Sequence, residues 1–425
     1  MNILIIGKGG REHALAFKIA QSPKVNKIYC APSNSGIAEI AEPVNININN
    51  IDALADFALQ KNIQLTVVGP EKSLALGIVD TFEKKDLKIF GPSKKAAQIE
   101  ASKSFAKKIM AKANIPTPKS ETFTDINKAN QYIKKQKTPI VIKADGLAAG
   151  KGVIICDTTQ KALNTAGNML VKNQFGKSGK KILIEEYAIG KEASFIAFCD
   201  GTNILPFPLS CDHKPAFDNN KGPNTGGMGV YSPAPFINKT LYKKIAETII
   251  LPAVKTMKKS GAIYKGFLYA GLIINNDNVK VLEFNCRMGD PEAQALLVRV
   301  KNDIIEIMEA CIQEKLNKFT LDINKKASVC VIMASSGYPN KTVEKGALIT
   351  GLEKITPKDN LFIFHSGTKK KNNNLTTNGG RVLGITALGN NIENASKKAY
   401  NAIKQISWKG AFYRKDIGKS REQHI

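Results

Sequence analysis

The first 100 residues alternate short apolar runs with stretches of helical period, and this alternation limits the possible folds more than any other feature of the chain. Apolar runs such as NILIIG, LTVVGP and LKIFGPS are separated by helical patterns such as IDALADFALQKN. Strands that alternate with helices in this way form a parallel sheet with helices on both faces. The sequence therefore predicts a doubly wound α/β domain over residues 1–102.

The rest of the 425 residues suits two further domains, at about 150 residues each. Paired prolines follow the helical stretch SKSFAKKIMAKAN and mark a break in the chain. The later strands and helices predict α+β units, so we expect an α/β and α+β multidomain protein. The predicted boundaries are 103–325 for the second region, with a compact unit at about 120–190 and a larger one at 191–325, and 326–425 for a small C-terminal α+β domain.

Composition indicates a globular, cytoplasmic protein. Hydrophobic residues make up 43% of the chain and charged residues 23%, which are the proportions of soluble proteins. The apolar start MNILIIGKGG lacks the basic region and cleavage site of a signal peptide, and no apolar run is long enough to span a membrane. The seven cysteines show no CxxC pair and no metal-ligand spacing, which predicts reduced thiols.

The net charge of +26 raises nucleic-acid binding as an alternative function. However, the lysines are spread over every predicted element, arginines are few, and aromatic residues that would stack on bases are not interleaved with them. Lysine, asparagine and isoleucine are abundant together, which favours a bias of genome composition. We therefore expect no nucleic-acid partner.

A glycine-rich hairpin at residues 139–155 is the clearest candidate for a phosphate site. Two β-branched strands flank a turn that contains Gly150, and the segment carries Lys143 and Lys151. Glycines allow backbone amides to approach phosphate oxygens closely, and lysines supply positive charge. The hairpin therefore predicts a polyphosphate site.

Acidic residues follow this hairpin along the chain. Glu185 and Glu186 end a predicted strand, and the segment after them would present peptide groups to an adenine edge while Glu192 binds ribose hydroxyls. This arrangement predicts the nucleoside end of a nucleotide site.

A later strand carries a candidate metal site. Glu283 and Asn285 lie two residues apart, so they share one face of the strand. Carboxylate and amide oxygens are hard ligands of the kind that Mg²⁺ prefers, with phosphates and water in the other positions. Arg287 lies one step further and would neutralise charge that develops in phosphoryl transfer.

The first glycine-rich turn, IIGKGGREHAL, predicts an anion site. Gly9 and Gly10 lie between a strand and a helix, where backbone amides favour an anion. Glu12 occupies the third glycine position of a dinucleotide fingerprint, so a phosphate or a sugar phosphate fits this turn better than NAD.

The polar loop DHKPAFDNNKGPNTGGMG predicts a second substrate site. Long loops inside compact domains are usually functional. Its glycines, with Asp212, Asn224 and Thr225, indicate close backbone approach to a small charged substrate.

Together these segments resemble the ATP-grasp superfamily and, within it, the phosphoribosylamine–glycine ligase family. The resemblance covers nearly the whole chain and rests on GGREHAL, VGPE, FGPSK, SKSFAK, KADGLAAGKGV, EEYAIGKEASF, DHK, GPNTGGMGVYSPAP, VLEFN, GDPE, HSGT, GGRVLG and YRKDIG, in that order. Cys286 and Met288 replace the alanine and phenylalanine that usually flank the family's arginine. The resemblance implies an N-terminal α/β domain, a small mobile ATP lid, a central grasp domain and a C-terminal domain.

The resemblance also implies an activity, the ATP-dependent ligation of glycine to 5-phosphoribosylamine through glycyl phosphate in purine biosynthesis. The implied cofactors are ATP and Mg²⁺ or Mn²⁺, and we expect a monomer. The implied ATP-binding residues are Lys103, Lys143, Gly150, Lys151, Glu185, Glu186, Tyr187, Ala188 and Glu192, and the implied metal ligands are Glu283 and Asn285. The implied substrate-binding residues are Gly9, Gly10, Arg11, Glu12, Asn34, Gly36, Asp212, Asn224, Thr225 and Gly227, and the implied catalytic residues are Arg287 and Asp212.

Three alternatives stay open at this point. Another ATP-grasp ligase or carboxylase would keep the nucleotide site and change the substrates. A nucleic-acid-binding protein is motivated by the charge of +26. A nicotinamide oxidoreductase is opposed by the incomplete glycine fingerprint.

Overall fold

The computed structural model describes residues 1–148, 151–340, 342–355 and 360–419. The N-terminal strands are β1 (Asn2–Ile6), β2 (Lys27–Ala31), β3 (Glu42–Pro43), β4 (Leu65–Val68) and β5 (Ile89–Phe90). The accompanying helices are α1 (Gly10–Ile19), α2 (Ile51–Gln60), α3 (Glu71–Leu76) and α4 (Ile78–Glu83).

These five strands are parallel and lie in the order β3-β2-β1-β4-β5. Leu4 and Ile3 belong to different apolar clusters, so helices cover both faces of the sheet. The predicted doubly wound sheet is confirmed. The strand order reverses between β1 and β4, where the following loops diverge and leave a crevice.

A second sheet begins after α5 (Gln98–Ala101) and α6 (Lys103–Lys112). Its strands are β6 (Ser120–Phe123), β7 (Ile140–Ala144), β8 (Val153–Cys156) and β9 (Ile182–Glu186), and its helices are α7 (Ile126–Lys134) and α8 (Thr159–Leu170). The order is β6-β9-β7-β8 with antiparallel pairing, and we call residues 120–186 the lid unit. Three of the four residues of β6 are polar, so this strand has no apolar run that would mark it in the sequence.

The central region contains a four-stranded antiparallel sheet. Its strands and the short strands that follow are β10 (Lys191–Asp200), β11 (Ile204–Pro206), β12 (Cys211–Asp212), β13 (Pro215–Phe217), β14 (Lys221–Asn224), β15 (Gly229–Ser232), β16 (Lys265–Asn275) and β17 (Asn278–Asn285). The helices are α9 (Lys239–Ile245), α10 (Leu251–Lys259), α11 (Glu292–Leu296) and α12 (Ile304–Ile312). The central sheet has the order β11-β10-β16-β17. The helical pattern that begins near residue 292 is interrupted, because residues 300–303 leave the helix and Val300 bridges to Ile323.

The C-terminal elements are β18 (Ala327–Ala334), β19 (Leu361–His365), β20 (Thr368–Lys371), β21 (Asn374–Thr377), β22 (Arg381–Gly389) and α13 (Ile392–Ile403). Their main sheet has the order β12-β15-β18-β22-β19, so two strands from the central region complete it. The boundaries 1–102, 103–325 and 326–425 stay predictions.

The N-terminal and central sheets share their apolar cores. One cluster combines Leu4 with Leu268, and another combines Ile5 with Phe198. The lid unit has a cluster of its own. We call the N-terminal and central sheets with their helices, including α6, the body. Within the described ranges, no helix has the length and apolar character needed to cross a membrane.

Candidate active site

A cleft of ≈ 560 Å³ lies where the lid unit, the N-terminal crevice and the central sheet meet. It brings together residues that are far apart in the sequence. The predicted site residues that line it are Arg11, Lys103, Lys143, Glu185, Glu186, Tyr187, Ala188, Glu192, Asp212, Asn224, Thr225, Glu283, Asn285 and Arg287. The predicted residues outside this lining are Gly9, Gly10, Glu12, Asn34, Gly36, Lys151 and Gly227, and Gly150 lies outside the described residues.

The lid unit contributes a lysine from the middle of its sheet. Lys143 lies on β7, and its Nζ donates to the carbonyl of Leu282 on β17 at 3.1 Å. Lys143 and Lys107 both pair with the buried carboxylate of Glu185. Glu185 therefore holds two lysines in the cleft, a task that sequence reasoning did not assign to it.

Lys103 opens α6 beside these groups. Burial lowers the pKa of its ammonium, and the nearby carboxylate of Glu283 opposes that shift. An anion bound beside the ammonium would favour its charged form. Lys103 is therefore placed to face an anionic ligand.

The segment after β9 forms one wall of the cleft. Glu186 ends the strand and its carboxylate lies 2.7 Å from Nζ of Lys280. Tyr187 and Ala188 follow outside any strand, and Glu192 resumes pairing on β10 with a side chain that is 54% exposed. Backbone groups outside a ladder are available to read a planar heterocycle, so this wall suits an adenine.

The opposite wall carries the predicted metal ligands. Glu283 and Asn285 lie on β17, and Gly271 faces Glu283 on the neighbouring strand. Burial alone would raise the pKa of Glu283, but Lys214, Lys103 and other cations lower it to about 2. The carboxylate is ionised at neutral pH, as a ligand of a divalent cation must be.

These two residues fit a hard cation. Among the described residues there is no group of three or more histidine, cysteine and acidic side chains arranged to hold a metal ion. An ion here would therefore take one carboxylate and one amide from the protein, and phosphate oxygens and water would complete its shell, as is usual for Mg²⁺.

Two arginines meet at the crevice between β1 and β4. Arg287 Nε lies 3.1 Å from Oε2 of Glu71, and its Nη2 lies 2.9 Å from Oε1 of Glu100. Arg11 Nη1 lies 3.9 Å from the same oxygen of Glu71. Both arginines also donate to the carbonyl of Met288, at 3.3 Å and 3.2 Å. The two guanidinium groups therefore share one carboxylate and one carbonyl.

The N-terminal turn is organised around Glu12. Its Oε2 accepts from the amide of Gly9 at 2.6 Å, and its Oε1 pairs with Nε of Arg11 at 2.6 Å. A Cβ at Gly69 would lie 2.0 Å from Oε1 and 2.6 Å from Cδ of Glu12, so a side chain there would displace the glutamate, and a Cβ at Gly7 or Gly9 would lie 2.6 Å or 2.9 Å from it. Several glycines near this turn therefore make room for the glutamate.

Asn34 has a structural task near this turn. Its Oδ1 accepts from the amides of Gly36 and Ile37, each at 2.9 Å. Its Nδ2 donates to the carbonyls of Lys8 and His365, at 2.7 Å and 2.8 Å. The side chain thus joins two N-terminal turns to β19.

The loop between β12 and β15 is held from the C-terminal sheet. Arg381 on β22 donates to the carbonyls of Gly226 and Asp290, at 2.9 Å and 2.6 Å. Thr225 Oγ1 donates to the carbonyl of Lys214 and accepts from the amide of Gly227. This anchoring places the exposed Asn224 at the cleft.

Asp212 and Lys214 differ in their surroundings. Burial, with help from Glu292, raises the pKa of Asp212 well above its ordinary value. Lys214 Nζ lies 3.4 Å from Oε1 of Glu283, and this carboxylate is the main cause of the raised pKa of Lys214.

Lys214 and Arg381 were not predicted as site residues. The motifs that contain them, DHK and GGRVLG, can be recognised in the sequence. Only the folded structure shows that Lys214 and Arg381 both reach the cleft.

Lys151 is the predicted phosphate ligand that the structure leaves apart. Its side chain is exposed, and it does not line the cleft. Its assignment to ATP depends on movement of the lid unit and stays a prediction.

Comparisons with known proteins identify the family to which this chain belongs. Family models of phosphoribosylglycinamide synthetase match in order: the N domain over residues 1–100, the ATP-grasp (A) domain over 101–293 and the C domain over 328–420. The chain belongs to this family. A relative in the family, a phosphoribosylamine–glycine ligase from Caldanaerobacter subterraneus subsp. tengcongensis, is 49% identical over 417 residues, which cover 98% of this chain and 99% of the relative.

Solved structures of similar fold include family members and more distant enzymes. A phosphoribosylamine–glycine ligase from Thermotoga maritima is 30% identical, with a TM-score of 0.86 over 98% of this chain and 100% of the other. The biotin carboxylase domain of a Hydrogenobacter thermophilus 2-oxoglutarate carboxylase, solved with MgADP and bicarbonate, has a TM-score of 0.75 at 15% identity, over 97% of this chain and 91% of the other. The second likeness shows the ATP-grasp fold alone.

Proposed function

We infer that this chain uses ATP to ligate glycine to 5-phosphoribosylamine through glycyl phosphate, and so makes glycinamide ribonucleotide, ADP and phosphate in purine biosynthesis. The observation that carries the inference is the meeting of lysines, metal-type oxygen ligands and two arginines in one cleft of a phosphoribosylglycinamide synthetase chain. The chain is an ATP-grasp ligase that forms a C–N bond.

The first step activates glycine. A carboxylate oxygen of glycine bonds to the γ-phosphorus of ATP, the bond from that phosphorus to the bridging oxygen breaks, and ADP leaves. Lys103 and Lys143 hold the phosphates in the cleft, and Lys151 joins them when the lid unit closes. The backbone of Glu185 to Ala188 binds adenine and Glu192 binds the ribose. Catalysis then rests on alignment and charge neutralisation, and it needs no covalent bond to the enzyme.

Glu283 and Asn285 would hold Mg²⁺ or Mn²⁺ against the phosphate oxygens. When bound, the ion supplies Lewis acidity and neutralises phosphate charge. The protein's own contribution is to keep Glu283 ionised and Asn285 oriented on β17, while Lys214 balances the carboxylate.

The second step forms the amide. The amine of phosphoribosylamine attacks the acyl carbon of glycyl phosphate, loses a proton, and phosphate leaves as the C–O bond breaks. Arg287 neutralises the acyl phosphate. The turn from Gly9 to Glu12, with Asn34 and Gly36, holds the ribosyl phosphate, and Asp212, Asn224, Thr225 and Gly227 hold the reacting amine and glycine.

The acyl phosphate must be protected from water, and closure of the lid unit would do this. We further propose a monomer in the cytoplasm. The seven cysteines are all free and buried, which suits a reducing compartment.

A coupled assay of ADP release tests the proposal. ADP and glycinamide ribonucleotide should form together only when glycine, phosphoribosylamine, ATP and a divalent cation are all present. ADP release at full rate without phosphoribosylamine, or with another acceptor in its place, would point to a different ATP-grasp ligase.

A further inference from the structure

The carboxylate of Glu71 occupies the switch point of the N-terminal sheet. Glu71 opens α3 after β4, and Arg11 lies in the first turn of α1 after β1. Because β1 and β4 are neighbours and their connections diverge, the two side chains face one another across the crevice. Arg287 enters the same crevice from the end of β17.

Glu71 is the group that the two arginines have in common. Its Oε2 lies 3.1 Å from Nε of Arg287 and 3.9 Å from Nη1 of Arg11. Of these two arginines, Arg11 pairs with Glu12 and Arg287 pairs with Glu100. Without Glu71, two guanidinium groups that donate to the same carbonyl of Met288 would repel one another.

All of these side chains except Glu12 and Met288 line the cleft. Arg11 belongs to the turn assigned to the ribosyl phosphate, whereas Arg287 follows the strand that carries the metal ligands. A change in the separation of the two arginines would therefore change how the ribosyl phosphate site and the acyl phosphate site are held relative to one another. Such positioning sets the rate in reactions that depend on alignment.

We propose that Glu71 is a positioning residue that fixes the separation of Arg11 and Arg287, and so aligns the phosphoribosylamine end of the cleft with the acyl phosphate end. Glu71 itself does not touch the reacting atoms. This inference rests on the proposed function, and it adds the device that couples the two substrate sites.

Glu71→Gln tests the proposal, because it keeps the shape of the side chain but removes the negative charge that the two guanidinium groups share. The KM for phosphoribosylamine should rise about tenfold or more and kcat should fall, since the charge that strengthens the hydrogen bonds to the arginines is lost. The KM for ATP should change by less than about threefold, because ATP is held by the lid lysines. Glu42→Gln, which removes a surface pair with Lys27, is the control and should behave as wild type.

A second readout separates positioning from folding. Modification of arginines by phenylglyoxal, mapped by mass spectrometry, should be faster at Arg11 and Arg287 in Glu71→Gln than in wild type. Glu71→Asp keeps the charge and should recover part of the lost kcat/KM. A folded Glu71→Gln whose KM, kcat and arginine modification stay within about twofold of wild type would overturn the proposal. Failure of the wild-type chain to form glycinamide ribonucleotide would instead overturn the proposed function.

Discussion

The lid unit and the body have separate apolar clusters and contact one another through polar groups. The lid unit buries its own cluster, which joins Ile142 and Ile184 to the helices α7 and α8. The body's clusters run through both the N-terminal and the central sheets. The lid unit meets the body through polar contacts, such as Lys143 to the carbonyl of Leu282 and Lys280 to Glu186. Apolar contact thus fixes the body as one piece, whereas the lid is held by contacts that a ligand can replace.

The N-terminus of α6 makes further polar contacts between the two units. Asp145 of the lid accepts from the amide of Ser104 at 2.6 Å, and its backbone carbonyl accepts from the amide of Lys103 at 2.9 Å. Carboxylates are favoured at helix N-termini. These bonds help to place the lid's lysines beside the body's carboxylates.

The largest loss of activity is expected when the carboxylate of Glu283, which lies in the body, is removed. Glu283→Ala removes a charged metal ligand, so kcat should fall by about a thousandfold or more. ADP release in the full assay, with thermal unfolding as a check on the fold, measures this. Glu247→Ala, which removes an exposed helical pair with Lys243, is the control and should keep activity. Near-normal turnover in a folded Glu283→Ala would refute the metal assignment.

Replacing a lysine of the lid should have a smaller effect on catalysis, and its size should depend on where the lysine lies. Lys143→Met removes a buried cation that bridges the lid and the body, so the KM for ATP should rise about tenfold to a hundredfold. Lys151→Met removes an exposed cation and should raise the KM for ATP less than Lys143→Met does. Steady-state kinetics with ATP varied compares the two variants. A larger effect at Lys151 than at Lys143 would mean that the closed lid differs from the arrangement described above.

The local part of this picture was predictable from the sequence. The doubly wound sheet follows from alternating apolar and helical patterns, and the shared face of Glu283 and Asn285 follows from strand geometry. The hairpin with Lys143 was also legible, because β-branched residues and glycines mark strands and turns. These features depend on residues close together in the chain.

The rest depends on contacts between distant segments. Arg381 holds Gly226 and Asp290 from a strand about 90 to 155 residues away, as the separations of those hydrogen bonds show. The side chain of Asn34 joins turns and that of Glu185 holds two lysines, and their predicted contacts with ligands stay predictions. No local pattern tells a carboxylate that binds a ligand from one that positions a lysine, because both require the same residue type.

Ligand binding should change the exposure of the lid more than that of the body. MgATP should protect the turn at residues 146–152 from trypsin by about fivefold or more, because closure buries the turn against the nucleotide. The rate of cleavage after Lys151, followed by mass spectrometry, measures this. Lysines on the body's outer surface, such as Lys243, serve as internal controls. Equal cleavage rates with and without MgATP would argue against a closing lid.

The smallest effect concerns acid stability. Burial alone would raise the pKa of Glu71 from its ordinary value of 4.5, but Arg287 and Arg11 lower it to about 2. Because the pKa is lowered on folding, the ionised carboxylate stabilises the folded state at every pH above the ordinary pKa of 4.5. This stabilisation is lost as the pH falls toward 2. The difference in unfolding free energy between wild type and Glu71→Gln, from urea titrations, should therefore be constant above about pH 5.5 and shrink below about pH 4. In the lid, Asp157→Asn should change stability little at any pH, because its pair with Lys161 is exposed. A difference in unfolding free energy between wild type and Glu71→Gln that grows on acidification would contradict the ion pairs assigned to Glu71.

The central claim is that a lid lysine and a body carboxylate hold the same nucleotide across two separately packed units. Calorimetric binding of MgATP to wild type, Lys143→Met, Glu283→Ala and the double variant tests it most directly. If both side chains act on one bound nucleotide, the double variant should lose less affinity than the sum of the two single losses, by about 1 kcal/mol or more. Losses that add to within about 0.5 kcal/mol would show that the two side chains act independently, and would contradict the account.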